Sequence, residues 1–178
     1  MYRYLLLALV SAAPVFAQNQ PIDARAAAGC GPADIKFDVK TDKKQHPVTP
    51  PGPGKAMVYV IEEERMGPDM NEIGHVTTRG GLDGNWVGAN NGASFLSYTV
   101  EPGNHHVCSD WQTNSKADQK LSAAAELAAE AGKAYYFHVI VFIGDLKHNP
   151  YLKLEAVDEA EGLLLVSESA LSTSKIKK

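Results

Sequence analysis

Apolar and polar positions alternate along most of this chain, with the period of two that belongs to a pleated strand. Ile35, Phe37 and Val39 alternate with Lys36, Asp38 and Lys40. That predicts a short, half-exposed strand at a sheet edge, where lysines discourage pairing with other chains. Ala56 to Ile61 is apolar throughout and rich in β-branched and aromatic residues, the pattern of a central strand. It runs into Glu62-Glu63-Glu64-Arg65, which reads as a solvated strand end. Leu96, Tyr98 and Val100 alternate with Phe95, Ser97 and Thr99. In His105 to Trp111, Val107 is placed inward and Cys108 on the opposite face, within reach of the N-terminal segment. Ala134 to Ile143 is the strongest strand, and Leu152, Leu154 and Ala156 alternate against Lys153 and Glu155 in a one-sided one.

Turn residues punctuate these runs. Asp83-Gly84 is a two-residue hairpin signal whose members tolerate the positive φ of a type I′ turn. Asn90-Asn91-Gly92 breaks the next strand, and Glu101-Pro102-Gly103-Asn104 has the order of a type II turn. Pro47, Pro50, Pro51 and Pro53 make a stiff linker. Leu121 to Glu130 sets two rules against each other. Its alanines favour a helix, with Gly132 where a C-terminal glycine cap would fall, yet Leu121, Ala123, Ala125, Leu127 and Ala129 alternate between flanking strands. The expectation is a strand, paired with Tyr135 to Ile143 through the Gly132-Lys133 turn. Asp158, with Glu161 three residues on, opens a short helix whose Leu163 to Val166 should pack back on the domain. Ser172 to Lys178 reads as a basic, frayed tail.

The elements predict an all-β fold, an antiparallel β-sandwich of about seven to nine strands with a short C-terminal helix. The expected organisation is a signal peptide (1–17), an N-terminal extension with one edge strand and the proline-rich linker (18–53), the sandwich (54–157), and the helix and tail (158–178). Arg3, the apolar run from Leu5 to Val10 and the small-x-small site Val15-Phe16-Ala17 carry the signal-peptide reading, with cleavage after Ala17. The apolar run is too short to span a bilayer. The expected destination is therefore the periplasm or the exterior, with no spanning segment after signal removal. A net charge of −4, or −5 once Arg3 is removed, gives no footprint for nucleic acid. Cys30 and Cys108 are the only cysteines, and in an oxidising compartment they are expected to form one disulfide. Ala27-Ala28-Gly29-Cys30 resembles the end of a lipoprotein box, but Asp23 and Arg25 interrupt the uncharged stretch such a signal needs.

Four motifs occur in an order that resembles a known family: Gly54-Lys55-Ala56-Met57-Val58-Tyr59-Val60; Leu82-Asp83-Gly84 followed by Val87-Gly88; Glu101-Pro102-Gly103-Asn104-His105-His106-Val107; and Ala131-Gly132-Lys133-Ala134-Tyr135-Tyr136-Phe137. From Pro53 to Ser172 the chain is similar to the bacterial envelope family called domain of unknown function 2846. The resemblance implies an Ig-like or PEGA-like β-sandwich, and a strand on either side of Gly132-Lys133. It implies no catalytic residue, and the cysteine pair is not a general feature of that family.

Candidate chemistry is sparse. Glu62, Glu63 and Glu64 are consecutive, so on a strand they point to alternate faces and do not converge on a metal. The same applies to His105 and His106. His106 and Cys108 share a face and suit zinc only if Cys108 is a free thiolate. His138 lies in an apolar strand, and His46, His75 and His148 lie in loops without partner spacing. Gly52-Pro53-Gly54-Lys55 lacks the remainder of a phosphate loop, and no nucleophile elbow or zincin pair occurs. No catalytic group, metal or cofactor is expected. The candidate binding surface is Trp86 with Asn85, Asn90 and Asn91, an aromatic ringed by amides at a hairpin tip. The implied partner is a cell-envelope protein or glycan. The alternative is a metal-dependent or hydrolytic enzyme whose site assembles from loops.

Overall fold

A computed structural model of the chain describes residues 30–67, 75–114 and 121–178. The expected signal peptide, and most of the loops expected at Met66 to Ile73 and Thr113 to Asp118, lie outside the described residues. The described chain forms β1 (Phe37–Asp42), β2 (Ala56–Arg65), β3 (Thr77–Leu82), β4 (Asn85–Asn91), β5 (Ser94–Val100), β6 (Gly103–Trp111), β7 (Ser122–Ala129), β8 (Ala134–Phe142), β9 (Tyr151–Val157), helix α1 (Glu159–Glu168) and β10 (Ala170–Ile176). Ten strands in two facing sheets and one short helix make an all-β sandwich. One sheet has the order β1-β10-β5-β2-β8-β9 and the other β4-β3-β6-β7. Pairing is antiparallel except for β2 with β8 and β10 with β5, which run parallel.

Strand β2 sits centrally because both of its faces are apolar. Val58 and Val60 point between the sheets, where they meet Leu96, Val107, Leu127, Phe137, Val139 and Val141. Met57, Tyr59 and Ile61 point the other way, against Phe95, Tyr136 and Val166 of α1. Tyr59 and Tyr136 stack at 5.0 Å between ring centroids. The Asp158 carboxylate caps α1 by accepting from Glu161 N–H at 2.9 Å, as the capping pattern predicts. Gly162 of α1 packs against the root of the Tyr136 side chain, which sets how closely the helix approaches the sheet.

The Asp83-Gly84 turn joins β3 to β4 with positive φ at both residues, 49° and 80°, the type I′ geometry expected. The two later junctions do something else. Gly92 (φ 68°) and Pro102-Gly103 carry the chain from the four-stranded sheet to β5 and back to β6, so they are corners of the sandwich.

Two expectations need correction. Ser122–Ala129 is a strand, but it pairs with β6 and not with the strand that follows it. β8 already has β2 on one side and β9 on the other, so it offers β7 no edge. Gly132 instead turns the chain into the other sheet, with its N–H bonded to Lys55 C=O at 2.8 Å. The frayed tail is also an ordered strand. β10 pairs with β1 from Leu171 to Ile176, and Ser172 Oγ bonds Ser94 Oγ at 2.8 Å in the interior. Its serines and threonine carry no apolar period, so only the ladder and this hydroxyl pair reveal it.

Replacing a helical glycine with alanine normally gains about 1 kcal/mol. At Gly162 a Cβ would fall 2.2 Å from Tyr136 Cγ. The clash should outweigh the propensity gain, so Gly162→Ala is expected to lose about 1–3 kcal/mol in denaturant unfolding. A gain would show that α1 can slide off the ring.

Candidate functional site

The residues following Cys30 form a strap across the outer face of the four-stranded sheet. Cys30 is bonded to Cys108 in the middle of β6, with Cα atoms 5.4 Å apart. Val107 faces the core and Cys108 faces the strap, the arrangement expected from their alternation. The disulfide occupies the sulfur that lipidation of Cys30 would require. Trp86 anchors the strap beside it. Its indole N–H donates to Pro32 C=O at 2.7 Å, and Gly31 lies so near the ring that a Cβ there would be 2.6 Å from Trp86 Cδ1. Beneath this, Arg79 and Asp110 form a two-pronged ion pair at 2.7 and 2.6 Å, with side chains 4% and 0% exposed. Arg79 also donates to the carbonyls of Ala33 and Ile35 and lies 4.3 Å from the Trp86 ring centroid. One guanidinium thus joins β3, β6, β4 and the strap.

A second polar cluster lies between the sheets. Glu62 is 1% exposed and accepts from the Thr78 hydroxyl at 2.5 Å. This corrects the solvated reading of the Glu62-Glu63-Glu64 run. The parity that puts Val60 inward also puts Glu62 inward, and only Glu63 and Glu64 reach the surface. Each carboxylate has its own partner: Glu63 pairs with Arg65 at 2.6 Å, and Glu64 with His75 at 2.8 Å. Burial pushes the Glu62 carboxyl well above its usual 4.5, although the Thr78 hydrogen bond opposes the rise. A buried acid with its pKa raised in this way is a familiar catalytic signal. Here one oxygen is bound to Thr78 of the facing sheet and the other is buried with no hydrogen-bond partner among the described residues, while Glu62, with Glu63, Glu168 and Ser169, helps to line a cleft of ≈ 340 Å³.

The histidines are dispersed. His105 pairs with Asp83 at 2.6 Å and His106 with Glu126 at 3.1 Å, on opposite sides of β6. Burial works to raise the Asp83 carboxyl, but bonds from the His105 ring and His106 N–H outweigh it and hold it low. His138 is buried with Nε2 2.9 Å from Glu63, close enough for an ion pair though not aligned as a hydrogen bond. His148 pairs with Asp145 at 2.8 Å, and His46 contacts the carbonyls of Lys43 and Val166. Among the described residues no group of three or more His, Cys, Asp or Glu is placed to hold a metal.

No family model, curated protein or solved structure matches the chain.

The residues of the candidate binding surface are not brought together as one. Asn85 is exposed, but Trp86 is half-buried beneath the strap. Asn90 is 1% exposed and donates to Val60 C=O at 3.0 Å, bridging the two sheets. Asn91 bonds Val76 C=O and the Thr77 hydroxyl, both at 2.9 Å. Amides that look like ligand-binding groups in sequence serve here to satisfy backbone at a sandwich corner. Sequence reasoning passed over Arg79 and Asp110. The available signal was Asp110 two residues from Cys108, and so on the same strand face that the N-terminal segment covers.

The disulfide closes 78 residues of chain, which in the chain-entropy model stabilises the fold by roughly 4 kcal/mol. Thiol titration of the unreduced, denatured protein should find none, and a pair of reactive thiols would refute the bridge. Glu62 gives a pH prediction. Between 4.5 and its raised folded value, the native state holds a proton that the unfolded chain has released, so stability falls as pH rises through that window. Glu62→Gln mimics the protonated acid and should become increasingly stabilising, relative to the unaltered protein, as pH rises above 4.5, measured by denaturant unfolding. A variant with the wild-type slope would place the titration elsewhere.

Proposed function

We propose that this chain is an exported, non-catalytic β-sandwich module that makes protein contacts in the bacterial cell envelope, akin to the domain of unknown function 2846 and PEGA-like sandwiches. The observation that carries the reading is the sealed strap. A disulfide of this kind forms and persists in an oxidising compartment, which agrees with the signal-peptide pattern of residues 1–17. Ionisable groups tie the parts of the fold together: Arg79 with Asp110 and Glu62 with Thr78 in the interior, and Asp83 with His105 nearer the surface. That favours recognition over reaction chemistry.

The contact surface fits the β8–β9 end better than the Trp86 hairpin. Leu146 is 85% exposed at the tip of that connection. Its loop is held in shape by Asp145, which accepts from the N–H groups of Lys147 at 2.8 Å and His148 at 2.7 Å. Tyr151 stacks on Phe142 at 5.1 Å at the base of the loop, and Met66 is exposed at the end of β2. A rigid loop that holds a leucine in water, above an aromatic pair, suits an apolar pocket on a protein better than a glycan.

Leu146→Asp should change stability by no more than about 0.5 kcal/mol, as for other surface substitutions. It should also abolish retention of the protein on isolated cell envelope. Unchanged retention would remove this surface from the proposal. Cytoplasmic protein with reduced cysteines would remove export.

A further inference from the structure

We propose that β7 is a self-pairing edge, through which two copies of the chain join their four-stranded sheets antiparallel about a two-fold axis at Ala124. The first observation is which backbone groups lack a partner. Trp111 N–H bonds Leu121 C=O at 3.1 Å. In an antiparallel ladder, residues that bond their partner alternate with residues that face away. The odd-numbered residues of β7 therefore bond β6, while Ser122, Ala124, Glu126 and Ala128 turn N–H and C=O outward. Tyr135 closes one end of this edge. Its hydroxyl donates to Ala128 C=O at 3.1 Å and accepts from Glu130 N–H at 2.9 Å. Among the described residues, the outward backbone groups of Ser122, Ala124 and Glu126 have no hydrogen-bond partner.

The order of residues along the open stretch identifies its occupant. It reads Leu121-Ser122-Ala123-Ala124-Ala125-Glu126-Leu127, nearly the same in both directions about Ala124. Antiparallel pairing of two copies centred there sets Leu121 opposite Leu127 and Ala123 opposite Ala125. On the solvent face it sets Ser122 opposite Glu126, so each hydroxyl can donate to the other copy's carboxylate. A register centred on Glu126 would instead set the two carboxylates against each other. Leu121, Ala123 and Ala125 are only partly buried at the rim of the inter-sheet core, and the second copy would cover them. A self-complementary edge of this kind closes after two copies.

The other edges are guarded. β1 carries Asp38, Lys40 and Asp42, and β9 carries Lys153 and Glu155. β4 is covered where Ala89 N–H donates to the Ser174 hydroxyl at 3.0 Å. Charge and cover are the usual means of blocking edge pairing. β7 has one charge, no proline, and small side chains that leave its backbone open.

Sedimentation equilibrium of the oxidised protein should give twice the mass of one chain. Ala124→Pro removes the outward N–H at the axis, a change an edge strand tolerates. Ala124→Lys sets like charges against each other there. Both variants should sediment as monomers with unchanged far-ultraviolet circular dichroism. If Ala124→Pro fails to fold, Ala124→Lys decides, since its side chain lies in solvent. Amide exchange of the unaltered protein supplies a readout without substitution: the Ala124 and Glu126 amides should be protected in concentrated solution and lose that protection on dilution. A monomer at all concentrations overturns the proposal, as does a dimer that persists in the folded variants or leaves these amides exchanging at one rate.

Discussion

Both faces of β2 have to be kept from water, and the architecture follows from that requirement. Val58 and Val60 on one face and Met57, Tyr59 and Ile61 on the other leave no side free for solvent. A single sheet could not cover them. The four-stranded sheet covers the first face, and α1 covers the second at Tyr136 and Val166. Burying a large apolar side chain contributes about 1.5–3 kcal/mol, so this strand outweighs any one polar contact. Once α1 lies on the sheet, the chain emerges beside β5, and β10 continues from there to pair with β1.

Polar groups in this fold act as fasteners between layers. Asn90 and Thr78 reach from the four-stranded sheet to β2, and Arg79 reaches from β3 to Asp110 and the strap carbonyls. Buried ion pairs give little net stability compared with apolar packing, but removing one partner leaves a charge stranded. Arg79 therefore fixes where the strap lies more than how strongly the domain folds. The same holds for Glu62, whose burial works against it as the pH rises.

The strands with strong apolar alternation were legible in the sequence, as were the Asp83-Gly84 hairpin, the Asp158 cap and the Cys30–Cys108 pair. Each depends on residues close in sequence, or on a pairing with no alternative. Partner choice was not legible. That Ser122–Ala129 is extended follows from its neighbours, but its pairing with β6 depends on β8 having both sides filled by β2 and β9. Glu62 and Asn90 misled for a related reason. A polar residue at an inward position looks exposed until its partner across the sandwich, Thr78 or the Val60 carbonyl, is known. Ala170–Ile176 was hidden because from Ser172 to Ser174 hydroxyl side chains stand where apolar ones would mark a strand.

The position of the disulfide also determines how the molecule carries load. Cys30 lies at the start of the described chain, and Cys108 lies in β6 between β3 and β7. A pull applied at the N-terminus passes through the sulfurs directly into β6. The chain from Gly31 to Val107, with β1 to β5 inside it, is bypassed and bears no tension along its backbone. If the chain is held by its N-terminus against a force on its C-terminus, the strands that can be drawn out in sequence are those from β7 onward. α1, one of the two covers of the central strand, lies in that loaded part of the chain, whereas β2 itself lies in the bypassed part.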